Sequence, residues 1–397
     1  MPIVRIPQRR FDARLARLRS LLSEKELNHF IVFNPIHIYY LTGFLHLATE
    51  RPFALLIQES DISFFAPELE KLHIQEEVPA AAKVGIYFDY PDAIHPMKHF
   101  AAFLKDELRI SSGLGAEAPG SSGRWGYEGP KLEEVLGFGV KVLPDLITDM
   151  RLIKDEDELA CIRESAKWAS LAHQLLQDKT VVGACETEVS MAASLEATMV
   201  MAKTLRLAHR PTAYPELTAE AGYRGQIGAY SAIPHAMNRF TVFHRGDTLV
   251  TGAGANVAGY CSELERTMFM GPPSAKQRKY FDIMVKAQDA AFAALAPGKP
   301  CSVADKATHV VFKERGVSHL VQHHTGHAIG LEPHEKPFLD RGMDVVMQPG
   351  MVFTVEPGIY DRAIGGFRHS DTVIITEDGI DRVTVYPRDI NALTLHT

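Results

Sequence analysis

The stretch LVTGAGANVAGYCSELERTMF, Leu249–Phe269, decides how this 397-residue chain is read. Its glycines Gly254 and Gly259, with Gly271 just beyond, punctuate strands and turns. None belongs to a phosphate loop, because no GxGxxG or GK[ST] leads from a strand into a helix. Glu263 and Glu265 stand two apart in a predicted strand, so both side chains project to one face. With Glu356 they place three carboxylates in one cavity. Such a cluster is tolerated only with a cation, a shared proton or a cationic substrate. Glu265 has an internal alternative as well: pairing with Arg266, Arg368 or another base.

Three further blocks stand downstream: HTGHAIGLEPHE (His324–Glu335), VFTVEPGIY (Val352–Tyr360) and GFRHSD (Gly366–Asp371). In this order and at these separations the four blocks resemble the creatinase/aminopeptidase P/methionine aminopeptidase family. The resemblance implies an α/β (α+β) protein with a creatinase/prolidase-type N-terminal domain at 1–150 and a pita-bread catalytic domain at 155–397. In the dinuclear-metal peptidases of that family, five ligands follow the order Asp, Asp, His, Glu, Glu. The matching positions here are Gly252, Glu263, His327, Glu356 and Ser370. The eleven-residue step from Gly252 to Glu263 equals the family's Asp-to-Asp step. Glycine has no side chain to ligate, and a serine hydroxyl is a poor ligand for a divalent cation. The reading therefore expects a peptidase scaffold without its metal chemistry, and no cofactor. A single Zn or Fe ion on His327, Glu356 and Glu263 is the competing expectation.

Three features resemble creatinase, the metal-independent member. Glu265 falls where creatinase has a glutamate that holds the substrate's guanidinium. His235 stands twelve residues before the Asp of Gly246-Asp247, as the catalytic histidine does there. Arg51, in ERPFALLIQ, occupies the place of an arginine that reaches a neighbouring subunit's substrate. Departures are also present: Ser370 replaces a second guanidinium-holding glutamate, Thr49 replaces an aromatic residue, and His334 stands where creatinase has an arginine. The roles of Ser370 and His369 stay open.

On this reading His235, Glu265 and Glu356 are catalytic. Histidine exchanges a proton near neutral pH, so His235 can deprotonate water and then protonate a leaving nitrogen. Arg51, Glu263, His327 and His334 bind substrate, Arg51 through a two-pronged carboxylate contact. The expected activity is metal-independent hydrolysis of a C–N bond in a small cationic or zwitterionic molecule. The rivals are a metal-dependent Xaa-Pro peptidase with a modified site, and a catalytically silent binding module. The resemblance also implies a homodimer.

Composition narrows the partners. With 46% apolar and 23% charged residues the chain reads as an ordinary globular protein. Its net charge of −7 and the lack of a Lys/Arg-rich block argue against nucleic acid or anionic membrane as a partner. No stretch is long and apolar enough for a signal peptide or membrane span. The four cysteines, Cys161, Cys185, Cys261 and Cys301, include no CxxC pair. These features point to a cytoplasmic protein.

Periodicity supplies the elements. Phe11, Leu15, Leu18 and Leu22 predict an amphipathic helix, HFIVFNP a buried strand stopped by Asn34-Pro35, and Phe53–Gln58 and Ile62–Ala66 a strand pair. Asp155 can cap a helix with an acidic first turn and an apolar stripe of Leu159, Ile162, Ala166 and Ala169. Long helices are expected through Met201 and from Ser274 to Leu295.

Overall fold

The computed structural model describes residues 5–121, 125–205 and 217–396. Internal contacts divide the chain at Arg151, giving one unit, Ile6–Arg151, and a second built on the residues from Leu152 onward.

In the first unit the helix Gln8–Ser23 buries Phe11, Leu15, Leu18 and Leu22, the stripe that its spacing predicts. The strand His29–Val32 ends before Asn34-Pro35, which does more than stop it. The Asn34 side chain accepts a 2.9 Å hydrogen bond from the Ile36 amide, and Pro35 opens the helix Pro35–Thr42. That helix closes on Gly43 at φ +74°, where a Cβ would strike the Phe11 ring at 2.8 Å. The six-stranded sheet runs Lys83–Tyr87, Ile62–Pro67, Ala54–Ile57, His29–Val32, Leu114–Ala116, Lys141–Val142. His29–Val32 pairs antiparallel with Ala54–Ile57 and parallel with Leu114–Ala116. Phe65, Phe100, Phe103, Met97 and Leu104 fill the core on one side.

The second unit begins with the helix Glu156–Lys179. Asp155 caps it through hydrogen bonds from the Asp157 and Glu158 amides, while the Glu158 carboxylate accepts from the Asp155 amide. Leu159, Ile162, Ala166 and Ala169 are buried. The helix packs on the strands Gly252–Val257 and Tyr260–Glu265, anchored where Ser165 Oγ donates to the Ala255 carbonyl at 2.6 Å and the Tyr260 hydroxyl to Glu158 Oε1 at 2.7 Å. These strands belong to an eight-stranded sheet. Its order is Glu335–Leu339, Gly326–Ala328, Val352–Val355, Ser370–Ile375, Tyr260–Glu265, Gly252–Val257, Ala219–Gly222, with Ile380–Arg382 added to the Ser370–Ile375 strand. The helices Glu186–Leu205 and Ala275–Ala294 complete the long helical elements, the second capped by Ser274. Sequence blocks far apart in the chain thus become neighbouring strands. No described helix is long and apolar enough to cross a membrane.

Candidate active site

The strand Tyr260–Glu265 carries two of the acidic residues, and its neighbours fix them. Glu263 lies opposite Gly254 on one side, and Glu265 lies opposite Ser370 on the other. The Glu263 amide donates to Thr372 Oγ1 at 2.9 Å. Alternation sends the next side chain, Arg266, to the other face, where it is fully buried against Asp371 at 2.9 Å and also donates to the Ser370, Tyr386 and Pro387 carbonyls. This satisfied pair locks together the two strands that bear Glu265 and Ser370.

The carboxylate cluster expected from spacing is present. Ligand oxygens of Glu263, Glu265 and Glu356 lie within 4.8 Å of one another, and donor atoms of Glu263, His327 and His334 are equally close. Two ends of the cluster differ in kind.

At one end, the buried Glu265 receives two guanidinium groups. Arg368 is buried and binds it bidentately, Nε to Oε2 and Nη2 to Oε1, the latter at 2.7 Å. Arg224 adds a contact from Nη2 to Oε1 at 2.9 Å. Arg368 also donates to the Tyr360 hydroxyl, which lies 2.7 Å from His323 Nε2. The internal pairing with Arg368 is therefore the one the chain adopts, with Arg224 added to it, and this favours the internal alternative over the role of holding a substrate cation.

At the other end stands His327, 1% exposed. Its Nδ1 meets the Ala328 carbonyl at 3.0 Å, and its amide donates to Thr354 Oγ1 at 3.1 Å, so the ring is held in place. Nε2 faces Glu356 Oε1 at 3.2 Å, an ion-pair contact, and Glu263 Oε2 at 4.0 Å. His334 stacks on this imidazole with ring centroids 3.7 Å apart. Burial and repulsion from Glu356 and Glu265 push Glu263 up to about 7. Burial opposes charge on His327 too, but the Glu356 and Glu263 carboxylates outweigh it and raise the imidazole to about 9. Burial likewise acts to raise Glu356, yet His327 and the Arg368 charge bring it down to about 2.

The residues present could hold one divalent ion. A buried imidazole whose Nδ1 contacts a carbonyl and whose Nε2 faces two carboxylates is a metal-ligand arrangement. A second ion does not fit. Gly252 offers no donor, and the Ser370 hydroxyl donates to Glu263 Oε1 at 2.7 Å. Both oxygens of Glu265 are taken by guanidinium nitrogens.

His235 is exposed in a turn, and burial, with smaller contributions from His327, His324 and His235, lowers the His334 imidazole. Arg51 lies in the first unit, where Asp89 at 2.7 Å and Glu50 at 2.5 Å hold its guanidinium. His369 is fully buried and packs edge-on to Phe281. Sequence reasoning missed Arg224, which sits in an irregular turn, and Tyr360. Only the Tyr in VFTVEPGIY, beside the Glu356 block, offered a signal for the latter.

Comparison with known proteins agrees with the site's family signature. Residues 160–377 match metallopeptidase family M24, and residues 14–129 match the creatinase/prolidase N-terminal domain. The chain is 30% identical to the Xaa-Pro dipeptidase of Pyrococcus furiosus over 95% of its own length and 99% of the relative's. It is 28% identical to the Xaa-Pro dipeptidase of Lactobacillus delbrueckii subsp. lactis over 96% and 98%. The crystal structure of the Pyrococcus horikoshii OT3 prolidase superposes with a TM-score of 0.79 at 28% identity, covering 95% of this chain and 99% of that one. These matches establish a creatinase-type N-terminal domain followed by a pita-bread domain. They overturn the creatinase-branch expectation: near-full-length relatives are Xaa-Pro dipeptidases, so metal-independent C–N hydrolysis of a cationic substrate is not the activity the chain's kinship supports.

Proposed function

Since the chain belongs to metallopeptidase family M24, a family of hydrolases, we propose that it hydrolyses the amide bond of a small dipeptide, Xaa-Pro dipeptides first, at a site built for one divalent ion. The observation that carries this reading is the His327 end of the cluster: a buried imidazole nitrogen aimed at Glu356 and Glu263, with donor atoms of His334 within reach. Like-charged carboxylates this close call for a cation, and at this end the described residues supply the imidazole and, 4.0 Å from Glu356, an Arg368 guanidinium already paired with Glu265.

His327, Glu263 and Glu356 would hold the ion, with His334 at its edge. When bound, a divalent ion supplies Lewis acidity toward a carbonyl and makes water more acidic. The chain's own residues do the rest. Arg368 keeps Glu265 fixed and neutralised, so the strand bearing Glu263 does not repack when a charge enters or leaves. His235, exposed in a turn, would carry a proton between solvent and the leaving nitrogen. A homodimer with Arg51 contributing to the partner's site stays part of the proposal, although Asp89 and Glu50 already hold that guanidinium.

The test is a panel of Xaa-Pro and Xaa-Ala dipeptides offered to protein loaded with Mn²⁺ or Co²⁺. Hydrolysis of the Xaa-Pro members is expected. Failure of folded, ion-loaded protein to cleave any dipeptide would overturn the reading.

A further inference from the structure

We propose that the Arg224 guanidinium is a built-in cation that takes the place of a second metal ion and fixes the capacity of this pocket at one. The inference rests on the single-ion reading of the site.

Arg224 follows the strand Ala219–Gly222, in a turn, at φ +51°. A non-glycine residue in the left-handed region is held there by something outside its own backbone preference. Here the side chain is anchored: Nη2 contacts Glu265 Oε1 at 2.9 Å. The arginine is 55% exposed and Glu265 only 5%, so a solvated charge reaches inward to a buried one. Glu265 already has a full bidentate partner in Arg368. Arg224 is therefore not needed to neutralise it, and the three residues together carry one surplus positive charge.

That charge lies where a second ion would have to sit. A Cβ built on Gly252 would meet Arg224 Nη2 at 3.3 Å, Arg224 Cζ at 3.5 Å and Glu265 Oε1 at 3.5 Å. The direction in which a ligand side chain at 252 would point is filled by guanidinium. An Asp placed there has room after a small shift of the flexible arginine, but its carboxylate would pair with Arg224 before it could ligate an ion. The absence of a side chain at 252 and the presence of the arginine are thus two halves of one arrangement. At the opposite margin the Ser370 hydroxyl occupies Glu263 Oε1. Restoring ligands by Gly252→Asp and Ser370→Glu should therefore not restore a second ion while Arg224 remains.

The experiment strips the full chain with chelator, adds Co²⁺, and counts bound metal by elemental analysis and calorimetry. The native chain and the Gly252→Asp/Ser370→Glu variant should each retain about one ion, and adding Arg224→Ala to that pair should raise the count to two. A double variant that takes up two ions with Arg224 in place would overturn the proposal, as would a folded triple variant that still takes one. Should the multiple variants fail to fold, single substitutions decide. Arg224→Gln removes a positive charge beside the remaining seat and should tighten Co²⁺ binding by about tenfold, whereas Arg224→Lys should stay within about twofold of native. Unchanged affinity in Arg224→Gln would also overturn it. A native chain that binds no Co²⁺ at all would count against the single-ion reading instead. The double-versus-triple comparison would still decide the part played by Arg224.

Discussion

Glu265 and Glu263 are two residues apart on one strand and face the same cavity, yet they live in opposite electrostatic circumstances. Two guanidinium groups reach Glu265, one buried and one from the surface, and between them contact both of its oxygens. Glu263 meets a serine hydroxyl, an imidazole 4.0 Å away and the nearby His334, with no guanidinium contact among the described residues, and burial raises it to about 7. The difference teaches that a cluster of carboxylates is not one functional unit. One end is structural and self-neutralised. The other is open to an exogenous cation.

The largest expected effect comes from breaking the closed end. Glu265→Ala leaves Arg368 buried without its bidentate partner, which should destabilise the protein by about 3–5 kcal/mol, as for other broken buried pairs. Thermal or denaturant unfolding measures this. A loss below about 1 kcal/mol would mean that the two ends do not differ as described.

The next effect belongs to the open end and leaves the fold intact. His235→Ala should lower turnover on the best dipeptide by around a hundredfold, in line with general acid–base contributions, with unfolding unchanged. Full activity would return this exposed histidine to the surface.

The smallest effect is a pH dependence. With metal removed, Glu263 is raised from the ordinary 4.5 to about 7. The folded state then binds its proton more tightly than the unfolded chain. Its contribution to stability is complete below 4.5 and is lost as pH rises through 7. His327, raised from 6.5 to about 9, continues the same decline above neutrality. Chelator-treated protein should lose stability from pH 4.5 to 7, and Glu263→Gln should flatten that window. An identical slope in the variant would place the proton elsewhere.

Much of this was legible in the sequence, for reasons particular residues show. Strand periodicity puts Glu263 and Glu265 on one face wherever the strand ends up, and Asp155 followed by an acidic turn specifies a helix start in any context. The HTGH, VEPG and FRHSD blocks each carry or adjoin a strand of the eight-stranded sheet. The partner of Glu265 is another matter. Arg368, two residues from Ser370, is readable as one of several bases. Arg224 lies 41 residues from Glu265 in a turn without periodicity, and only the tertiary fold brings it over Gly252. Residue identity alone makes Glu265 look like a substrate-holding group. The guanidinium contacts at its oxygens favour the internal pairing instead, and no local pattern encodes them. The metal question turns on the same point, because a missing ligand at 252 says nothing about what fills the space it leaves.

The most direct test of the account is the metal content of protein purified without chelator, read together with its dipeptidase activity before and after metal removal. The two-ended site predicts about one divalent ion per chain and activity that disappears with it. Two ions per chain, or undiminished hydrolysis by metal-free protein, would contradict it.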